Sequence, residues 1–149
     1  MRKRSGFTLI ELLAVIAVIG IISLIAIPNI VGLSSGVKKD QMLDDAKKLI
    51  SLAKYKVNTD YEIRNLSKES ICNGTSCTLS LEFLNFNGDI ENDPDGGVYS
   101  SQSKVTYSIT DNVATYCVSL IGSRRTIGKD SCINEGDLYG RSIVVDLAS

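Results

Sequence analysis

The sequence holds no histidine and no tryptophan, and only two prolines and two methionines among its 149 residues. Without His the chain lacks the side chain most often used as a general base near neutral pH, and the commonest ligand of transition metals. No glycine-rich phosphate loop and no nucleophile paired with a base takes its place, so the sequence points away from an enzyme and from a bound cofactor. A basic surplus is missing too. The 16 Lys and Arg face 17 Asp and Glu, and setting aside Arg2, Lys3 and Arg4 leaves 13 against those 17. That balance predicts no specific nucleic-acid binding over the rest of the chain.

Charge is also absent from one long stretch. From Leu12 to Leu33 no side chain is ionisable, and the run is rich in Leu, Ile, Val and Ala. A helix of this length rises about 33 Å, enough to cross a bilayer. Arg2, Lys3 and Arg4 precede it, while Lys38 and Lys39 behind it are offset by Asp40, Asp44 and Asp45. The asymmetry keeps the leader in the cytoplasm and sends the remainder out. About 110 residues are then left for one globular head.

A cleaved secretory signal is the competing reading, with Ser34 and Gly36 ahead of Val37 as an acceptable cleavage site. Two features oppose it. Glu11 lies one turn inside the apolar segment, where an intramembrane acid costs about 2.5 to 3.5 kcal/mol on insertion scales and usually marks function. The helical pattern also continues past the site, because Leu43, Ala46, Ile50, Ala53 and Val57 follow at steps of three and four. Span and stripe read as one helix ending near Val57 or Tyr61, a rod of roughly 75 Å if measured from Phe7.

Gly6-Phe7-Thr8-Leu9-Ile10-Glu11-Leu12-Leu13, behind basic residues and ahead of an apolar run containing Pro28, resembles the start of type IV pilins and pseudopilins. The resemblance covers residues 2 to 33 and says little about the head. It implies a leader of residues 1–6, removed by a prepilin peptidase between Gly6 and Phe7, with methylation of the new Phe7 amine. A transmembrane and assembly helix over 7–33 and a head over 34–149 follow from it, in the lollipop-shaped α+β fold of that family. It also implies single-pass residence in the cytoplasmic membrane, delivery to an inner-membrane assembly machinery, and polymerisation with itself and other pilins into an extracellular filament. Pilus, secretion or competence pseudopilus, and ligand-binding tip subunit are all compatible with it. Adhesion, motility or aggregation would be the use of a pilus.

On this resemblance Glu11 neutralises the Phe7 amine of a neighbouring subunit. Breaking such a pair in a low-dielectric core typically costs about 3 to 5 kcal/mol, which makes it a register device. The plain alternative is an acid at the membrane interface whose carboxylate reaches water. Pro28 removes an N–H and crowds the carbonyl four residues back, so a kink is expected. In the family the stretch corresponding to Gly20 through Pro28 can unwind on assembly.

The head reads as an antiparallel sheet laid on an amphipathic helix. Residues 97–100, 104–110, 113–121 and 142–147 read as strands, with Asp111-Asn112 as a two-residue hairpin turn. Residues 78–86 alternate like a strand, but Ser80 before Leu81-Glu82-Phe83-Leu84 also suits a capped helical turn, which the pattern favours. Cys72, Cys77, Cys117 and Cys132 lie in the exported part and suggest two disulfides. Three pairings are possible, the local ones being favoured, and the spacing suits zinc poorly. Glu91, Asp93 and Asp95 ahead of Gly96 echo a calcium loop, although Gln102 stands where a closing acid belongs. Asp93-Pro94 followed by Gly96 also resembles the D-P-x-G turn of major pseudopilins, some of which bind calcium nearby. A solvated turn is the simpler alternative. Arg124, Arg125 and Lys129 read as a small basic loop.

Overall fold

The computed structural model describes residues 7–90 and 92–148, with the side chains of 22–33 outside the description. The first helix, α1, spans Leu9–Thr59. The chain divides into two compact units, residues 1–37 and 38–149, and α1 contributes to both.

In the second unit α1 shows the expected stripe, joined by two more positions. Met42, Leu43, Ala46, Leu49, Ile50, Ala53 and Val57 are all buried, at three- and four-residue steps that place them on one face. Beyond Thr59 the chain turns at Asp60, whose carboxylate accepts the Glu62 and Ile63 N–H groups and starts the short helix α2, Tyr61–Arg64.

The sheet opens with β1, Ser76–Ser80, which runs directly into α3, Leu81–Leu84. Both readings of this stretch therefore hold in part. Only residues 78–80 of the alternating stretch belong to the strand, and the Ser80 hydroxyl accepts the Phe83 N–H to start the helical turn that takes up Leu81 and Phe83. β2, Lys104–Thr110, and β3, Val113–Ile121, keep the bounds read from the sequence. Asp111 and Asn112 both take positive φ, 50° and 63°, the left-handed pair that a tight hairpin requires. The sheet is completed by β4, Arg125–Ile127, β5, Ile133–Asn134, and β6, Val145–Asp146. Its order is β1-β2-β3-β4-β6, all antiparallel, with β5 pairing β3 below β4.

Register sets the core. Cys77, Tyr107 and Tyr116 form one cross-strand row, and Leu79, Val105 and Val118 the next. All six are buried and meet the α1 stripe in a single apolar cluster with Leu120 and Ile127. The Tyr107 and Tyr116 rings lie 5.3 Å apart, a cross-strand aromatic pair.

Two expected strands differ. Residues 97–100 form no strand; their one ladder-type contact is an isolated bridge between Asn92 and Val98, and the Ser100 N–H donates to the Ile121 carbonyl at the end of β3. Gly96, at φ 87°, turns the chain just before them, and Tyr99 drops into the core instead of alternating. Residues 142–147 form a 3₁₀ turn over Arg141–Ile143 and then the two-residue β6. Gly140 enters that turn at φ 77° and uses up the first half of the run.

Candidate assembly site

The first turn of α1 is held by a reciprocal pair of side chains. The Glu11 carboxylate Oε2 accepts the Thr8 backbone N–H at 2.9 Å and the Thr8 hydroxyl at 2.9 Å. In return the Thr8 Oγ1 accepts the Glu11 N–H at 3.4 Å. This is a capping box, in which an N-terminal hydroxyl and a carboxylate three residues on satisfy helix-end donors that have no intrahelical partner. The acid also lies at the positive end of the helix dipole. Glu11 therefore has a local task that the sequence reading did not weigh, and Thr8 is a site residue it missed. The signal was present: Thr-x-x-Glu directly ahead of an apolar run is the written form of this cap.

Phe7, the residue behind the expected cut, is 83% exposed and stands immediately before Thr8. Around it Leu9, Ile10, Leu12, Leu13, Val15, Ile16, Val18, Ile19 and Ile21 are exposed as well. These side chains point to every side of α1, and an apolar surface of this extent on one chain marks a surface that something else covers. Gly20 sits within it with open space around its α-carbon. Among the described residues no helix is long and apolar enough to cross a membrane. The expected span over 12–33 runs through 22–33, whose side chains lie outside the description. Gly6, the leader cations and the Pro28 side chain lie outside the described residues, while the backbone from Gly20 through Pro28 is part of α1 in the single chain.

The head brings the other sequence-predicted residues into structural roles. Cys72 is bonded to Cys77, and Cys117 on β3 to Cys132 just ahead of β5. The acidic loop is tied to the protein's own donors. Asp93 Oδ1 accepts the N–H groups of Asp95 and Gly97, and Oδ2 accepts that of Ser123 from the loop between β3 and β4. Burial acts to raise the Asp93 carboxyl, and the bonds from Ser123, Gly97 and Asp95 outweigh it, holding the group below its usual range. Asp95 pairs with Arg125, which also reaches Asp146 on β6, and with Lys38 on α1. Glu91 lies outside the described residues.

This arrangement corrects the basic-loop reading. Arg125 is a mostly covered side chain, 12% exposed, enclosed between Asp95 and Asp146. Its neighbours on α1 make parallel ties, since Lys39 meets Asp146 at 3.0 Å and Asp40 accepts two bonds from Arg141. Deeper in, the Tyr99 hydroxyl donates to Asp45 at 2.6 Å. Burial, then the hydrogen bond to Asp45, push the Tyr99 phenol far above its usual range.

No curated protein and no solved structure matches the chain. Residues 1–27 match the family model of the prokaryotic N-terminal methylation motif, and the chain thus begins with the segment characteristic of type IV pilins and pseudopilins.

Proposed function

We propose that this chain is a structural subunit of a type IV pilus. A prepilin peptidase cuts it between Gly6 and Phe7, Phe7 is methylated on its new amine, and the mature subunit polymerises through α1. The observation that carries the reading is the methylation motif over residues 1–27, placed on a helix whose apolar side chains from Phe7 to Ile21 are uncovered. Before assembly those side chains are covered by the cytoplasmic membrane, and after it by the helices of neighbouring subunits. The antiparallel sheet, the buried stripe of α1 and the two disulfides support a pilin-type head suited to standing outside the cell.

Glu11 then has two successive partners. Its Oε2 holds Thr8 in the capping box, and among the described residues Oε1 accepts no hydrogen bond. That oxygen is the one open to the Phe7 amine of a neighbouring copy.

One observation favours a second reading, a pseudopilin of a secretion or DNA-uptake system. The Asp93-Pro94-Asp95-Gly96 turn, clamped by Ser123, resembles the D-P-x-G turn of major pseudopilins. Electron microscopy of filaments sheared from cells, with the subunit quantified in them, separates the two. Long filaments composed mainly of this chain support a pilus; its absence from long filaments, with the subunit confined to the envelope, supports the pseudopilin.

A further inference from the structure

The chain contains two Asn-Gly dipeptides, Asn73-Gly74 and Asn87-Gly88, and both are exposed. An Asn-Gly step is open to intramolecular attack of the glycine nitrogen on the asparagine side-chain carbonyl, because no Cβ obstructs the approach. The two sites differ in how the reacting groups are held.

At Asn73 the electrophile is polarised. Its Oδ1 accepts the Thr75 N–H at 3.1 Å and the Ser76 N–H at 2.9 Å, together with the Thr75 hydroxyl at 2.9 Å and the Ser76 hydroxyl at 3.3 Å. Attack on Cγ places negative charge on this oxygen, and donors already aimed at a developing oxyanion lower the barrier to forming it. The nucleophile is unencumbered, since among the described residues nothing accepts the Gly74 N–H. Gly74 has φ 85° and open space around its α-carbon. At Asn87 both conditions are reversed. The Gly88 N–H donates to the Asn85 carbonyl at 3.0 Å, and among the described residues the Asn87 side chain receives no hydrogen bond.

We infer that Asn73 is a self-deamidation site, activated by the turn that closes the Cys72–Cys77 loop. The Gly74 nitrogen gives its proton to solvent base and forms a bond to Asn73 Cγ. The Cγ–Nδ2 bond then breaks, and Nδ2 leaves as ammonia after taking up a proton. Water opens the resulting succinimide at either carbonyl, giving aspartate or isoaspartate. No oxidant, reductant or enzyme is required, and the balance is one water consumed for one ammonia released. The donors that hold Oδ1 bind a carboxylate more strongly than an amide, so the aspartate product is stabilised in place. Each conversion adds one negative charge to an exposed loop of the head, and copies that have stood longest carry it most often. This inference does not depend on the filament reading.

The test incubates the full chain in detergent at mildly alkaline pH and follows both sites by peptide mapping and mass spectrometry, with isoaspartate measured separately. Asn73 is expected to convert about tenfold faster than Asn87 in the same molecules. Thr75→Val, which removes one donor, is expected to slow Asn73 several-fold while leaving Asn87 unchanged, and Thr75→Ser to restore the rate. Equal rates at the two sites, or faster conversion of Asn87, overturn the inference. So does an Asn73 rate unaffected by Thr75→Val in protein whose disulfide and thermal unfolding are unchanged.

Discussion

Early in α1, Leu9, Ile10, Leu12, Leu13, Val15 and Ile16 stand exposed, whereas later in the same helix Met42, Leu43, Ala46, Leu49 and Ile50 are covered by the chain's own sheet. The residue types are alike, and their surroundings are not. A head that buries its apolar stripe has what it needs to fold by itself, while an apolar segment uncovered by its own chain requires a membrane or other copies. The two regions also use acids differently. In the head, Asp93 and Asp95 are enclosed by N–H groups and cations, which fixes loops. At the start of α1, Glu11 uses one oxygen in its helix cap, and in the proposed filament the other would meet the Phe7 amine of a neighbouring copy.

Substitutions on the two sides of this comparison should therefore separate assembly from stability. The largest effect belongs to Glu11→Val, which should abolish filaments while leaving cleavage, membrane insertion and thermal unfolding of the head unchanged. Normal filaments from that variant, seen by electron microscopy, would remove the register role. Leu120→Ala acts on the other side, emptying a fully buried position on β3. It should cost about 2 to 5 kcal/mol in denaturant unfolding and leave the N-terminal cut untouched.

Asp93→Asn should cost about 2 kcal/mol near neutral pH, because an amide cannot accept on both oxygens and leaves a buried N–H without a partner. Acid gives the sign. The Asp93 carboxyl is held below its reference value of 3.8 in the folded protein. Its contribution is therefore complete above that value and is lost as pH falls through the lower folded one. Denaturation followed against pH should show that loss in the parent and a flatter acid limb in Asp93→Asn. Gly97→Ala should have the smallest effect, about 1 to 2 kcal/mol, because an added Cβ would meet the Ser123 Cβ at 2.7 Å and must push that loop outward. Unchanged stability would show that the clamp around Asp93 is loose.

What could be read from the sequence follows the same division. Helix stripe, hairpin and capped turn rest on local rules, and α1, β2, β3 and α3 formed where periodicity, a left-handed turn pair and a capping serine placed them. The short strands β4 and β5 escaped because two or three residues carry no period, and they form only where β3 offers an edge, while the expected strand over 142–147 shrank to β6, which pairs with β4. Residues 97–100 looked like a strand by composition, yet the turn at Gly96 and burial of Tyr99 decided otherwise. At the start of the chain the motif was legible residue by residue. The second task of Glu11, and Thr8 with it, was written in the Thr-x-x-Glu spacing but hidden behind the more conspicuous cost of an acid beside an apolar run. Arg125 looked like part of a basic surface because its partners, Asp95 and Asp146, are distant in sequence.

The proposed filament requires a helix that is kept after processing. Intact-mass and N-terminal peptide analysis of the mature protein tests this most directly: a chain beginning at methylated Phe7 is the predicted result, and one beginning near Val37, with the apolar segment discarded, would contradict it.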